Sequence, residues 1–249
     1  MWLVLCDASD APAIWAFQEM RARGITPLEL VTADDLALAD YWEHRIVGGR
    51  ASIRIRAGNL DIDGGQLRGV LNRLYAVPIP HWRSAKQSDR DYVQQELTAL
   101  FLSWLHALPC PVINRPTPQG LSGQWRPESE WVLLAHQAGL PVVPYRQSAR
   151  DRIDEMKGEK RLVPAGALVQ TVIVVGDATA GAAAPAPVVA ACRSLAKISG
   201  TELLGIDFIA GQAGPWTFAG ANPMPYLMLG GPALIQALCD RLAMPQVAA

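Results

Sequence analysis

Two side chains in one stretch have the types and spacing for metal or phosphate chemistry: Asp207 and Asn222, within residues 203–226, LLGIDFIAGQAGPWTFAGANPMPY. Residues 203–209 are apolar apart from the one acid, residues 211–215 carry turn chemistry, residues 216–218 resume an extended pattern, and Asn-Pro-x-Pro closes the run. The pattern predicts a β-hairpin. It sets a carboxylate inside one strand and an amide just past its partner, side by side at one end of a sheet. Oxygen ligands are offered to Mg²⁺ and to nucleotide phosphates in this way. A structural role fits the same residues: an Asp ending a buried strand can accept backbone N–H bonds, and an Asn before Pro can close a turn.

A second set of candidates is cationic and aromatic. Arg73 and Arg115 each follow an Asn at the end of an apolar strand pattern. Strand ends of an open α/β sheet are where ligands bind, and a guanidinium suits a carboxylate. Arg126 and Trp125 sit in the proline-rich loop RPTPQGLSGQWRP, and with Arg73 and Arg115 they make a candidate substrate or partner cleft. Trp82, Trp125 and Trp131 are candidates for an exposed partner surface, since Trp and Arg are enriched at interface hot spots; packing on the sheet is the competing use. For each Arg the plain alternative is a solvent-facing ion pair.

Other chemistries find no support. His44, His81, His106 and His136 stand alone, without the paired spacing of a zinc site. Gly64, Gly65 and Gly69 lack phosphate-loop spacing and serve as turn punctuation, and Leu121-Ser122-Gly123 falls short of a nucleophile elbow. Cys6, Cys110, Cys192 and Cys239 are scattered singly among apolar neighbours, which predicts reduced core thiols.

The elements that must position these residues alternate strand and helix. An apolar strand over 1–5, a helix over 11–23 and a second strand near 28–31 open the chain as β-α-β, the start of a parallel sheet. Residues 34–35 open a short helix, 52–56 alternate as an exposed strand does, 69–72 form a buried strand and 75–82 a loop. A long helix over 89–108 carries Tyr92, Leu97, Leu100, Phe101, Trp104 and Leu105 inward. After a short strand at 112–114, four prolines between Pro111 and Pro127 mark a domain boundary. The expected domains are 1–110 and 111–249. Beyond the boundary come a helix over 128–138, an extended segment at 141–145, a charged stretch over 148–161, and apolar strands leading to VIVVGD. Residues 178–187 are expected as a flexible Ala/Pro connection, followed by helices over 188–198 and 231–242.

Composition narrows the function classes. With 249 residues, half of them apolar, the chain can bury a substantial core. Lys and Arg number 22 against 23 acids, and no basic face for nucleic acid is visible. The N-terminus, MWLVLCDASD, reaches Asp7 too soon for a signal peptide, and no apolar run approaches the ~18 to 20 residues that span a bilayer. A cytoplasmic protein without membrane or nucleic-acid partners is expected.

The hairpin pattern G-x-D-F, turn, Asn-x-x-Pro resembles the last hairpin of the ATP-grasp superfamily of carboxylate-amine ligases. The N-terminal β-α-β unit, the G-V-L-N-R-L strand and the I-N-R-P, helix, G-L-P-V-V-P unit also resemble its RimK-like and ribosomal-peptide-modifying branch, so the likeness runs along nearly the whole chain. It implies an α/β fold, a pre-ATP-grasp-like parallel-sheet domain followed by a reduced ATP-grasp-like α+β domain. Asp207 and Asn222 match two metal positions of the family pattern, while Gly220 stands where its metal-bridging Glu belongs. The Lys that the family usually carries at the start of the helix after I-N-R-P has no counterpart in 128–131, and the Lys that holds nucleotide phosphates belongs in the family to a strand like K-R-L-V-P. Lys157 and Lys160 could reach back as substitutes for the lid's cationic clamp, or belong to a solvated surface. The family's lid, between strands like K-R-L-V-P and V-I-V-V-G-D, is expected to be cut out. The resemblance thus implies a degenerate, non-catalytic protein with no cofactor, binding a peptide, a small molecule or an active enzyme as a homo-oligomer or hetero-complex. Its alternative is a minimal ligase using ATP and Mg²⁺, with Asp207 and Asn222 as ligands.

Overall fold

The computed structural model describes residues 1–79, 84–146, 168–209 and 216–244. They form two compact units, one of residues 1–124 with 235–249 and the other of residues 125–234. Trp82, His81, Arg83, Lys157, Lys160, the charged stretch on which the shortened-lid reading rests, and the 211–215 turn lie outside the described residues.

The first unit holds a parallel sheet and an antiparallel meander. Strands β1 (Trp2–Cys6), β2 (Leu28–Thr32), β6 (Gly69–Arg73) and β7 (Val112–Ile113) pair in the order β2-β1-β6-β7. Helix α1 (Ala11–Ala22) follows β1 because Asp10 caps it, its carboxylate accepting from the Ala13 amide at 3.0 Å. Helix α2 (Ala33–Ala37) starts with a capping box between Thr32 and Asp35. The meander comprises β3 (Tyr41–Val47), β4 (Arg50–Ala57) and β5 (Leu60–Asp63), in that order. Of these only β4 is anticipated by the sequence pattern.

One core serves both sheets. Leu3, Leu5, Val70 and Leu74 cluster with Ile53, Ile55 and Ile62 of the meander and with Phe101, Trp104 and Leu105 of α3 (Gln87–Ala107). The Trp42 ring joins Phe101 and Trp104 at centroid distances of 5.0 and 5.2 Å. Tyr92, expected inward, is 63% exposed instead; it lies in the first turns of α3, ahead of the buried residues, which begin at Phe101.

The second unit is one antiparallel sheet covered on one face by helices. Strands β8 (Val169–Val175), β9 (Ala178–Gly181), β10 (Leu203–Ile209) and β11 (Thr217–Asn222) pair in the order β11-β10-β8-β9. Val172, Val174, Leu204, Ile206, Phe208 and Phe218 pack on α4 (Glu128–Gln137) and α5 (Ala186–Ser199). Residues 178–187 are no flexible connection: they form β9 and the start of α5. Gly181, at φ 95°, lies so close to β8 that a Cβ would come within 2.5 Å of the Thr171 carbonyl oxygen. Small residues there allow a tight edge strand. Helix α6 (Gly231–Ala243) begins in this unit and from Ile235 belongs to the first. No helix among the described residues is long and apolar enough to cross a membrane.

Candidate functional site

Strand pairing places Asp207 opposite Gly220 on β11 and opposite Thr171 on β8, and Asn222 opposite Gly205. Directly opposed residues of antiparallel strands share a face, and so do residues two apart. Thr171, Asp207 and Gly220 therefore form one cross-strand row, with Gly205 and Asn222 in the next. The apolar residues that alternate with them face α4 and α5, so this short polar row lies on the other face.

Each donor on this face already has work. The Thr171 hydroxyl donates to Asp207 Oδ1 at 2.6 Å. The Asn222 amide closes the Asn-Pro-x-Pro turn on itself, its Nδ2 donating to the Met224 carbonyl at 3.0 Å and its Oδ1 accepting the Met224 amide at 2.8 Å. That turn folds Pro225 back over the sheet, where a Cβ on Gly205 would come within 2.7 Å of the Pro225 Cβ. Gly220 is different: among the described residues, nothing lies within 4 Å of a Cβ built there. A Cβ therefore meets no described neighbour at this position, and the backbone there does not itself demand glycine.

On the edge of the same sheet, β11 lines a cleft of about 320 Å³ together with Trp125, Arg126, Glu128 and Trp131. The Arg126 guanidinium pairs with Glu130, donates to the Ser199 carbonyl at 2.8 Å and lies 5.6 Å from the Trp131 ring centroid. It thereby ties the first turn of α4 to the C-terminal end of α5, where a cation opposes the carbonyl dipole. Trp125 is 68% exposed beside it. Trp131 is not an exposed aromatic; at 5% exposure it belongs to the core with Phe208 and Phe218, because its position in α4 turns it toward the sheet.

The remaining two arginines are in the first unit. Arg73 at the end of β6 donates to both carboxylate oxygens of Asp10, Nε at 2.8 Å and Nη2 at 3.2 Å, with the two side chains only 5% and 10% exposed. Arg115 donates to the Leu105, His106, Leu108 and Cys110 carbonyls, at 2.8 Å to His106 and 2.9 Å to Cys110. It caps the C-terminal end of α3. Both sit where ligands bind in open sheets, yet both turn inward onto acceptors of their own chain.

Several of these partners carry no signal of their own in the sequence. Asp10 is 63 residues from Arg73, and Thr171 finds Asp207 only once the order β10-β8 is known. Asn72 is buried at 1%, and its amide donates to the Asn114 and Leu121 carbonyls at 2.9 and 2.7 Å; an Asn between apolar strand residues and Arg73 is its only trace. Burial raises the Asp7 carboxyl above the usual carboxylate range, with Asp10 and Asp34 adding to the effect.

Among the described residues, the donor set does not fit the two-metal nucleotide site that the hairpin pattern implies. Two Mg²⁺ ions each want about six oxygen ligands in near-octahedral geometry. Here one carboxylate, already bonded to Thr171, faces a glycine, and the neighbouring amide is engaged in its turn. Among the described residues, no three His, Cys, Asp or Glu side chains group as a metal site.

No family model and no curated protein matches this sequence. Solved structures do match its shape. Macrocyclase MdnB from Microcystis aeruginosa MRC superposes with a TM-score of 0.69 at 18% identity, over 97% of this chain and 98% of that one. The Chryseobacterium gregarium RiPP-associated ATP-grasp ligase, in complex with ADP and a leader and core peptide, gives 0.71 at 10% identity over 97% and 96%. ATP-grasp ligase PsnB, complexed with a phosphomimetic variant of its minimal precursor, Mg and ADP, gives 0.66 at 16% identity over 97% of both. At such identities the likeness is one of fold.

Proposed function

This chain has the ATP-grasp fold, and we propose that it uses that scaffold to bind a peptide or partner strand rather than to activate a carboxylate. The observation that carries the reading is the row Thr171, Asp207, Gly220, in which a glycine stands opposite the one acid. Carboxylate activation by ATP depends on neutralising phosphate charge in the transition state, and each lost stabilising group costs about 3 to 4 kcal/mol, roughly 10² to 10³ in rate. A fold that hosts ligases does not by itself confer their chemistry.

The binding half of the reading rests on the β11 cleft. A sheet edge offers main-chain groups to an extended peptide, here beyond Phe218, whose amide already donates to the Pro141 carbonyl at 2.8 Å, and an exposed aromatic beside it supplies a side-chain anchor. Trp125 fills that part. Arg126, held by Glu130 and Ser199, shapes the cleft wall. The C. gregarium and PsnB structures are themselves peptide complexes, which supports a peptide as the occupant. Arg73 and Arg115, bonded within the first unit, have no part in this cleft.

A second reading, a minimal ligase joining a carboxylate to an amine with ATP and Mg²⁺, is the one the solved structures favour, since the proteins compared are ligases or a macrocyclase and two of them hold ADP. In that case Asp207 and Asn222 would supply the metal ligands. Release of ADP from Mg-ATP, measured with the full chain and a set of acidic peptides, separates the two. The binding reading expects no ADP above the protein-free rate. ADP release that Asp207→Ala abolishes would establish the ligase.

A further inference from the structure

The meander of the first unit leaves one strand unfinished. Val47 and Arg50 flank Gly48 and Gly49, whose φ angles of 57° and 75° make the two-residue turn that matches strand twist. Such a turn closes with Val47 and Arg50 exchanging backbone hydrogen bonds, and the ladder then alternates. Arg45, Glu43 and Tyr41 therefore direct their N–H and C=O groups to β4. Those of Trp42, His44 and Ile46 point away from it. Strand β3 is the edge of its sheet, and among the described residues no backbone hydrogen bond reaches it from outside the meander.

Edges are normally blunted by shortness, proline, a bulge or a run of like charge. Strand β3 has seven residues, no proline and an unbroken register with β4. Its two charges are opposite and two residues apart, Glu43 and Arg45, bonded to each other at 3.0 Å. Large apolar side chains stay exposed at both ends, Tyr41 at 48% and Ile46 and Val47 at 62% and 65%. His44 points to α3, where its Nε2 lies 3.0 Å from Ser103 Oγ, so it does not obstruct the edge.

We propose that β3 pairs with β3 of a second copy of this chain, antiparallel, about a two-fold axis at His44. This register places Tyr41 opposite Val47, Trp42 opposite Ile46, and Glu43 opposite Arg45, each contact occurring twice as two-fold symmetry requires. The outward groups of Trp42, His44 and Ile46 then meet one another, completing about six backbone hydrogen bonds. Moving the centre by one residue, to Glu43 or Arg45, keeps the outward groups facing one another but opposes Glu43 to Glu43 or Arg45 to Arg45 and leaves about four bonds instead of six. Hydrogen-bond parity requires a centre on a residue, and charge pairing with the number of bonds made selects His44 among such centres. The dimer does not depend on the chemistry of the second unit.

Sedimentation equilibrium of the full chain tests this. The wild type is expected as a dimer. Charge reversals R45E and E43R each put like charges opposite one another at two places and weaken the dimer roughly tenfold or more. An equimolar mixture of the two variants regains dimer mass, because a strand with two acids then faces a strand with two bases. A variant that had merely failed to fold would not be rescued by mixing. A wild type that stays monomeric at tens of micromolar, one that gains mass only with a different protein, a dimer that neither reversal weakens, or two variants that stay apart when mixed would each overturn the proposal.

Discussion

The strand ends of the first unit and the β10-β11 hairpin of the second both present polar groups where α/β proteins place ligands, and they use them differently. In the first unit Arg73, Arg115 and Asn72 are bonded by their own chain: Asp10 takes one guanidinium, the last carbonyls of α3 take the other, and two backbone carbonyls take the amide. In the hairpin Asp207 has, among the described residues, a single side-chain partner, and it faces a glycine whose Cβ position none of them approaches. Position at a strand end therefore does not decide function. What decides it is how many acceptors or donors remain after the fold has taken its own.

Arg73→Met gives the largest effect that this contrast predicts. Removing one member of a buried pair leaves Asp10 charged and unpaired, which destabilises by about 3 to 5 kcal/mol, measurable by urea unfolding. A loss under about 1 kcal/mol would mean that Asp10 is well solvated and that the two regions differ less than their geometry says.

Alkaline titration probes a property that the regions share. Burial, with help from Asp10, pushes the Cys6 thiol of the first unit up to about 12, and burial alone does the same to Cys192 of the second. These groups keep their protons in the folded state after the unfolded chain, near 9.0, has begun to lose them. The stability they contribute is complete below pH 9 and is lost as pH rises toward 12. Both thiols should also resist a thiol reagent at pH 8 until the protein unfolds. Fast labelling of Cys192 alone would show that the second unit opens more readily than the first.

Gly220→Glu carries the smallest stability change and sharpens the comparison most. The open space around Gly220 predicts a change within about 1 kcal/mol. On the proposed reading, an acid introduced beside Asp207 should add a Mg²⁺-dependent rise in melting temperature beyond any seen in the wild type. No such rise would mean that the hairpin lacks more than one ligand.

The hairpin and the opening β-α-β unit were legible in the sequence because their apolar runs and turn residues agree. Strands β3 and β5 were not. Tyr41–Val47 intersperses Glu43, His44 and Arg45 among its apolar residues, and Leu60–Asp63 is too short for periodicity to register. Strand β9, Ala-Thr-Ala-Gly, has the composition of a linker and is a strand because β8 lies against it. In the site, the spacing could put Asp207 and Asn222 on neighbouring strands, though in successive rows rather than opposite each other, whereas the partners that occupy Arg73, Arg115 and Arg126 are set by tertiary contacts. The burial of Trp131 depends on which side of α4 meets the sheet, a choice that short helix leaves open.

On the proposed reading, the Thr171, Asp207, Gly220 row holds too few oxygen donors for a metal-bound nucleotide. Calorimetric titration of the full chain with Mg-ADP tests it most directly. Heats indistinguishable from dilution at millimolar nucleotide are expected. Saturable binding that disappears in Asp207→Ala would contradict it.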